Sequence, residues 1–226
     1  MEKVETHDFL EIIYNCRAMR RIKPEPVPEE LLVKLVDAAN QGPTASNAQP
    51  GRWIIVTDPG IKMKLADLNR SAVDKSYPAQ SVEAPKSAFR WQYEHMQDIP
   101  VLIVACVSRR GGAPDTFYAG VTAGGSIWPS VQNLLLTARA LGLGACPTTL
   151  PLQDRAAAKA VLNMPEHVEP ICMIPVGYPK GKFGPVKRRP LEQIVHWDGW
   201  NTGTTEKLLN PHDQSLIQPE KTNATD

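Results

Sequence analysis

Three short runs of apolar, mostly β-branched residues limit the ways in which this chain can fold. The runs occupy 53–58 (WIIVTD), 101–107 (VLIVACV) and 171–179 (ICMIPVGYP), and their length and composition are typical of buried β-strands. A further strand candidate lies at 187–197. Strands that alternate with helical segments in one unit predict an α/β or α+β sandwich, with a central sheet flanked by helices.

Helical spacing of apolar side chains recurs around these runs. The longest such segment, 118–141, is apolar on most faces and predicts a central buried helix, in which Pro129 either produces a kink or marks the true start. Shorter helices are predicted at 8–16 with Asp8 as N-cap, at 28–40, at 60–70 and at 153–163.

The chain is predicted to form one domain. Its 226 residues contain no internal repeat and no linker. We therefore expect a single domain over 1–200, a variable lid at about 71–97, and a polar tail at 201–226 that is either disordered or laid over a partner subunit. The 21 prolines and 15 glycines are spread along the chain and predict many sharply defined turns.

The charge balance excludes two classes of partner. The 25 Lys and Arg residues and the 24 Asp and Glu residues leave a formal charge of +1, so no global field attracts nucleic acid or an anionic membrane. No apolar stretch reaches the length of a membrane span and the first residues do not resemble a secretion signal, so we expect a cytoplasmic protein. Four single cysteines predict reduced thiols, and they are Cys16, Cys106, Cys146 and Cys172.

Common catalytic templates are missing from the sequence. It has no Walker A loop, and the Gly142-Leu143-Gly144 run lacks the third glycine of a dinucleotide-binding motif and follows a predicted helix. The five histidines do not show the spacing of metal ligands, and Ser126 does not lie in a nucleophile elbow. We therefore predict no protein-held metal, no ATP hydrolysis and no serine hydrolase.

Two cationic clusters stand far apart in the sequence. Arg17 and Arg20, with Arg21 beside them, could hold a phosphate through paired, charge-assisted hydrogen bonds. The second cluster is formed by residues 187–189. A solvated basic surface is the alternative interpretation of each cluster.

A loop and the predicted lid complete the set of candidate segments. The loop at 43–50 (PTASNAQP) combines small residues with two amides, Asn47 and Gln49, that suit the edge of a polar ring. In the lid, aromatic and basic side chains either contact a flat substrate or close the core. These lid residues are Phe89, Arg90, Trp91 and Tyr93.

Five motifs follow one another in a fixed order, at 16–22 with 26–28, 43–51, 138–144, 176–179 and 187–197. Together they resemble the FMN-dependent nitroreductase family, including its iodotyrosine-deiodinase-like and flavin-destructase-like branches. The chain departs from the family pattern at Cys16, Ala18 and Gly51, where the family often has arginine, serine and tryptophan. The resemblance extends from about residue 8 to residue 200.

The resemblance implies an α+β fold with a mixed central sheet and an interlocked homodimer that carries two FMN sites at its interface. Arg17 and Arg20, joined by Arg188, would hold the FMN phosphate. The loop at 43–50 would reach the flavin from the partner subunit, and the segment at 147–150 would face the flavin ring near N5. The implied cofactor contacts are Arg17, Ala18, Met19, Arg20, Pro43, Thr44, Ser46, Asn47, Gln49, Pro147, Thr148, Thr149, Leu150, Lys187, Arg188 and Arg189.

The same resemblance implies an FMN-dependent NAD(P)H oxidoreductase that works in two half-reactions and reduces nitroaromatic, quinone or other electron-poor acceptors. The flavin carries the chemistry, so no protein side chain is implied as catalytic. Reductive dehalogenation or another specialised flavin reaction is one alternative. Flavin binding without turnover is the other, and both NADH and NADPH stay open as donors.

Overall fold

The three apolar runs form the greater part of one sheet. The structure is a computed structural model that describes residues 9–77, 88–108 and 124–200. Every pairing between the described strands is antiparallel. The sequence analysis expected a mixed sheet, but an apolar run does not encode whether its neighbouring strands run parallel or antiparallel to it. The strands are β1 (Gly51–Val56), β2 (Val101–Ser108), β3 (Gly144–Ala145) and β4 (Val168–Gly177), in the order β1-β2-β4-β3.

Five of the described helices form where the apolar spacing predicts them, and the sixth, at Ala88–His95, lies inside the predicted lid, where the sequence predicted no helix. Their bounds are α1 (Phe9–Asn15), α2 (Glu29–Asn40), α3 (Pro59–Ser76), α4 (Ala88–His95), α5 (Trp128–Ala140) and α6 (Arg155–Val161). Pro129 lies in the first turn of α5, where its missing N–H costs no hydrogen bond, so it marks the start of this helix. Of these described helices, none combines the length and the apolar content that a membrane crossing needs.

Alternating side chains of β2 enter two apolar layers. Ile103 belongs to a buried cluster with residues of α2 and α5, and Leu102 belongs to a second cluster with residues of α3 and α6. All eight residues of β2 are buried. Helices therefore cover both faces of the sheet, and the predicted α+β sandwich is confirmed.

The structure corrects four expectations about local structure. β1 is an edge strand and not a buried one, and its Ile55 is 39% exposed. The run at 187–197 contains a 3₁₀ turn at Leu191–Gln193 in place of a strand, because Pro190 supplies no N–H to a ladder. β3 lies within a segment expected to be a turn, and α3 continues to Ser76, inside the predicted lid. Asp8, residues 78–87, residues 109–123, the tail at 201–226 and the side chain of Phe89 lie outside the described residues.

The four cysteines are free thiols. Burial raises the pKa of Cys106 and of Cys172 to about 12, and it also raises the pKa of the buried Cys146. Cys16 is partly buried, and desolvation raises its pKa as well. Thiols in such surroundings stay protonated at neutral pH, so these four residues act as packing side chains.

Two glycines let the segment at 17–23 pack closely against the end of the sheet. A Cβ atom at Gly177 would lie 2.5 Å from Cγ2 of Ile22. A Cβ atom at Gly144 would lie 2.9 Å from Cβ of Met19. Met19 and Ile22 are buried, so their contacts with the two glycines set how closely this segment approaches β3 and β4.

We expect Gly177→Ala to lower the free energy of unfolding by about 1–3 kcal/mol, because the added methyl group overlaps Ile22 in a filled interior. Urea denaturation of the purified variant measures this loss. Gly184→Ala is the matched control, since a Cβ atom at Gly184 meets nothing within 4 Å. Equal stability of the two variants would contradict the close packing at Gly177.

Candidate functional site

Backbone hydrogen bonds attach the arginine segment to the end of the sheet. The N–H of Met19 donates to the carbonyl of Ala145 in β3 at 3.1 Å. Further along, the N–H of Lys23 donates to the carbonyl of Tyr178 at 2.8 Å. Because Met19 and Ile22 point into the core, the intervening arginine side chains face outward at this end of the sheet.

A groove of about 390 Å³ runs along this segment and is lined by residues 17–21 with Gly181 and Lys182. Within the described part of the chain, the guanidinium groups of Arg17, Arg20 and Arg21 form no ion pair and no hydrogen bond. The described lining also contains no carboxylate. The groove therefore carries uncompensated positive charge and suits an anion such as a phosphate.

A second groove of about 330 Å³ begins at Arg20 and continues along the segment at 147–150. Thr148 and Met173 exchange two backbone hydrogen bonds of 2.8 Å, which pin this segment to β4. Arg20 lines both grooves, so the structure brings the segments at 17–20 and 147–150 side by side. The remaining lining residues are Tyr77, Gln92, Trp128 and Gln153.

The chemistry of the second groove differs from that of the first. Trp128 and Leu150 offer apolar surface, whereas the threonines and the two glutamines offer hydroxyl and amide groups. A lining that is part apolar and part hydrogen-bonding is typical of sites for flat organic ligands. The two grooves together therefore suit a ligand with a phosphate at one end and a polar ring at the other.

The loop before β1 does not take part in either groove. Ser46, Asn47 and Gln49 have φ angles of 51°, 53° and 47°, a left-handed conformation that is uncommon outside glycine. The backbone N–H of Gln49 donates to Oγ1 of Thr44 at 3.2 Å, and its side-chain amide donates to Oδ1 of Asn47 at 3.1 Å. No residue of 43–49 lines either groove. Strained backbone of this kind clusters at functional sites.

The second cationic cluster is also separate from the grooves in this chain. Lys187, Arg188 and Arg189 are exposed, and none of them lines either groove. The guanidinium of Arg188 donates to the carbonyl of Lys187 at 3.1 Å. Lys182, earlier in the same connection, supplies the cation that lines the first groove.

The described lid residues that the sequence indicates make contacts outside the grooves. Arg90 Nε lies 2.8 Å from Oε1 of Glu94, one helical turn away on α4. The hydroxyl of Tyr93 donates to Asp74 at 3.3 Å, and the Trp91 ring lies 5.1 Å from the His95 ring. Among the described residues, Arg90, Trp91 and Tyr93 therefore line neither of these two grooves.

Sequence reasoning missed Gln92, which does line the second groove. Gln92 is 5% exposed, and its buried Nε2 atom has no hydrogen-bond partner among the described residues. Its spacing is the signal that could have indicated its burial. Gln92 and the buried Met96 lie one helical turn apart and therefore share the face that points inward. The other lining residues that the sequence did not indicate are Tyr77, Trp128, Gln153, Gly181 and Lys182.

A buried arginine connects the elements around the first groove. Arg139 of α5 places its guanidinium 4.4 Å from the centre of the Phe183 ring, a cation–π arrangement. Its Nη2 atom lies 3.5 Å from Oε1 of Glu11 in α1. Since Phe183 follows Lys182 directly, Arg139 holds both α1 and the connection after β4 against α5.

The fold and the grooves define a protein class: an α+β sandwich that carries, at one end of its sheet, a cationic first groove and a second groove with a partly apolar lining, both lined by Arg20. A model of the nitroreductase family matches residues 13–178. The chain therefore belongs to the nitroreductase family, and the resemblance found in the sequence is confirmed.

Individual relatives show how far the similarity extends. A protein of Methanothermobacter thermautotrophicus, provisionally named an NADH dehydrogenase/NAD(P)H nitroreductase, is 32% identical over 179 residues, which cover 78% of this chain and 80% of that relative. Iodotyrosine deiodinase 1 of Rattus norvegicus is 26% identical over 208 residues, which cover 85% of this chain and 70% of that protein.

A solved structure shares the fold. The crystal structure of an oxidized iodotyrosine deiodinase bound to FMN and 3-iodo-L-tyrosine has a TM-score of 0.67 and 24% sequence identity with this chain. The match covers 85% of this chain and 100% of that one. The architecture described above is therefore that of a family member over most of its length.

We expect Ser46→Val to lower the free energy of unfolding by about 1–2 kcal/mol, because a β-branched side chain is strained at the left-handed φ of 51°. Urea denaturation measures the loss. Ala48→Val is the control, because this neighbouring loop residue has a φ of −67° that valine adopts without such strain. Equal losses in the two variants would show that the left-handed conformation at Ser46 is not maintained.

Proposed function

We propose that the protein is an FMN-dependent oxidoreductase that uses NAD(P)H to reduce an electron-poor acceptor, such as a nitroaromatic compound or a quinone. The observation that carries the proposal is that Arg20 lines both the first groove, whose arginines form no ion pair with a described residue, and the second groove, which runs along 147–150. A cofactor with a phosphate and a polar ring fits this pair of grooves. The name of the Methanothermobacter relative supports the same type of activity.

The phosphate of FMN fits the first groove. Arg17 and Arg20 offer guanidinium N–H groups that have no acceptor within the described residues, and Lys182 adds a further positive charge. A hydrogen bond between a charged donor and a phosphate contributes about 1.5–3 kcal/mol when it is sheltered from water. Binding there would give the arginine side chains an anionic partner, which the described residues do not provide.

The flavin ring fits the second groove. The segment at 147–150 is pinned to β4 through Thr148, so its position is set by the sheet. The chemistry that FMN supplies when bound is acceptance of a hydride from NAD(P)H and delivery of electrons to an acceptor. The residues of this segment orient the ring and offer hydrogen bonds to its edge, so no side chain has to act as acid, base or nucleophile.

A homodimer is part of the proposal. Helix α1 exposes a set of large apolar side chains, including Phe9, which is 65% exposed, and Tyr14. A patch of this kind is typical of a surface that another subunit covers. The loop at 43–49 has a strained backbone and does not reach the grooves of its own chain. Association of two chains would cover α1 and bring this loop, with residues 187–189, to the partner's grooves.

Reductive dehalogenation is a second candidate function, because the chain is similar to iodotyrosine deiodinase 1 along most of its length. The two candidates share the cofactor and differ in the acceptor. Turnover of 3-iodo-L-tyrosine, without turnover of quinones or nitroaromatic compounds, would favour the second candidate.

The purified protein is expected to show the visible absorption of an oxidised flavin, and mass analysis after heat or acid release is expected to identify FMN. Addition of NADH or NADPH under argon should bleach this absorption, since the proposed activity requires hydride transfer to the flavin. A colourless protein that takes up no added FMN would contradict the proposal. Bound FMN that neither nucleotide reduces would indicate a flavin-binding protein without turnover.

Arg17→Ala and Arg20→Ala are each expected to raise the Kd for FMN by about 10- to 100-fold, which corresponds to the loss of one charge-assisted contact. Equilibrium dialysis of the refilled apoprotein measures the change. Arg155→Ala is the control, because Arg155 is an exposed residue on α6 that contacts Glu169. Arg188→Ala should also raise the Kd for FMN if this residue reaches a partner's groove. Retention of FMN at the wild-type level in both Arg17→Ala and Arg188→Ala would exclude the phosphate assignment.

A further inference from the structure

An exposed tryptophan borders the second groove. Trp128, the first residue of α5, is 42% exposed, although tryptophan side chains are on average largely covered in folded proteins. Among the described residues with large, exposed apolar side chains, Trp128 alone lines one of the two grooves. It therefore combines accessible aromatic surface with a position in the wall of a ligand space.

The backbone that carries Trp128 is anchored. The N–H groups of Ile127 and Trp128 both donate to the carbonyl of Gly124, at 3.1 and 3.0 Å. Ile127 is fully buried, and its carbonyl accepts a hydrogen bond of 2.9 Å from the N–H of Val131. The indole therefore stands on a fixed turn, and a ligand that contacts it does not have to order the backbone first.

Gly124 also sets the position of the indole ring. A Cβ atom at Gly124 would lie 2.6 Å from Nε1 of Trp128, so a larger residue would displace the ring. The φ angle of Gly124 is not positive, so its backbone conformation does not require glycine. The property that glycine supplies here is therefore room for the indole of Trp128.

We propose that Trp128 is a flavin-binding residue whose indole packs against the isoalloxazine ring of FMN in the second groove. The inference rests on the proposed function and adds to it a ring contact that none of the sequence motifs contains. Both rings are flat and aromatic, and their contact removes apolar surface from water. The threonines of the same lining supply hydrogen-bonding groups, and Trp128 supplies the aromatic surface.

Contact with the indole also affects the redox equilibrium of the flavin. The face of an indole is electron-rich, and the oxidised flavin ring is poorer in electrons than the reduced ring. Trp128 therefore stabilises the oxidised ring relative to the reduced ring. The midpoint potential of bound FMN is lower with this side chain than without it.

The test compares FMN binding by the apoproteins of the wild type and of Trp128→Ala in equilibrium dialysis. We expect the Kd for FMN to rise at least about tenfold, because apolar contact area and the interaction between the two rings are lost. Inorganic phosphate, which competes with FMN for the first groove, should keep its wild-type inhibition constant, because Trp128 does not line that groove. Ile55→Ala is the control and should bind FMN like the wild type, since Ile55 is 39% exposed on β1, at the edge of the sheet opposite β3.

Three further variants separate a ring contact from a change in folding. Trp128→Phe keeps an aromatic face and should recover most of the affinity for FMN. Trp128→Leu keeps only an apolar side chain, and the midpoint potential of its bound FMN should be higher than in the wild type. Gly124→Ala should raise the Kd for FMN by displacing the indole, and it should have little further effect when Trp128→Ala is already present.

Three results would overturn the assignment of Trp128. An unchanged Kd for FMN in Trp128→Ala would show that the indole does not contact the ring. Equal losses of affinity for FMN and for inorganic phosphate would place the effect in the first groove or in the fold. An unchanged midpoint potential in Trp128→Leu would show that the indole lies away from the flavin. Failure of the proposed function is distinguishable from all three, because it appears in the wild type as an absence of bound or reducible FMN.

Discussion

The pairing of β4 with β2 is the constraint on which the rest of the structure depends. β4 lies between β2 and β3, and all of β2 is buried beside it. Met173 of β4 exchanges hydrogen bonds with Thr148, and Tyr178, which follows β4, accepts one from Lys23. One strand therefore sets the position of both walls of the site, and a displacement of β4 would move the first and the second groove together.

The sequence predicts the elements whose local pattern is strong. β2 is buried on both faces, and a strand that is covered on both sides needs the continuous apolar run that its sequence shows. β3 has only two residues, Gly144 and Ala145, so no periodicity reveals it. The edge position of β1 depends on the order of strands in the sheet, which no local pattern contains. The run after Lys187 resembles a strand in composition, but Pro190 begins a 3₁₀ turn there.

The site is predictable to the extent that it follows sequence motifs. Arg17, Arg20 and the segment at 147–150 lie in motifs, and the fold places them side by side. Gln92 lies in no motif, and its burial arises from the packing of α4 against α3, which depends on tertiary structure. The aromatic and charged neighbours of Gln92 are more conspicuous in the sequence and make other contacts. A role for the loop at 43–49 depends on a second chain, which the sequence of one chain does not position.

The arginine side chains of the first groove, which have no ion pair with any described residue, also affect the ligand-free chain. Arg17, Arg20 and Arg21 place like charges on one short segment, and no described carboxylate lines the groove beside them. Arg17 and Arg21 are exposed to solvent, so dissolved salt screens their mutual repulsion and weakens it as ionic strength rises. The ligand-free chain should therefore gain thermal stability from added salt, and polyvalent anions should act at lower concentrations than chloride. Folding at this end of the sheet is thus linked thermodynamically to the supply of anions in the surrounding solution.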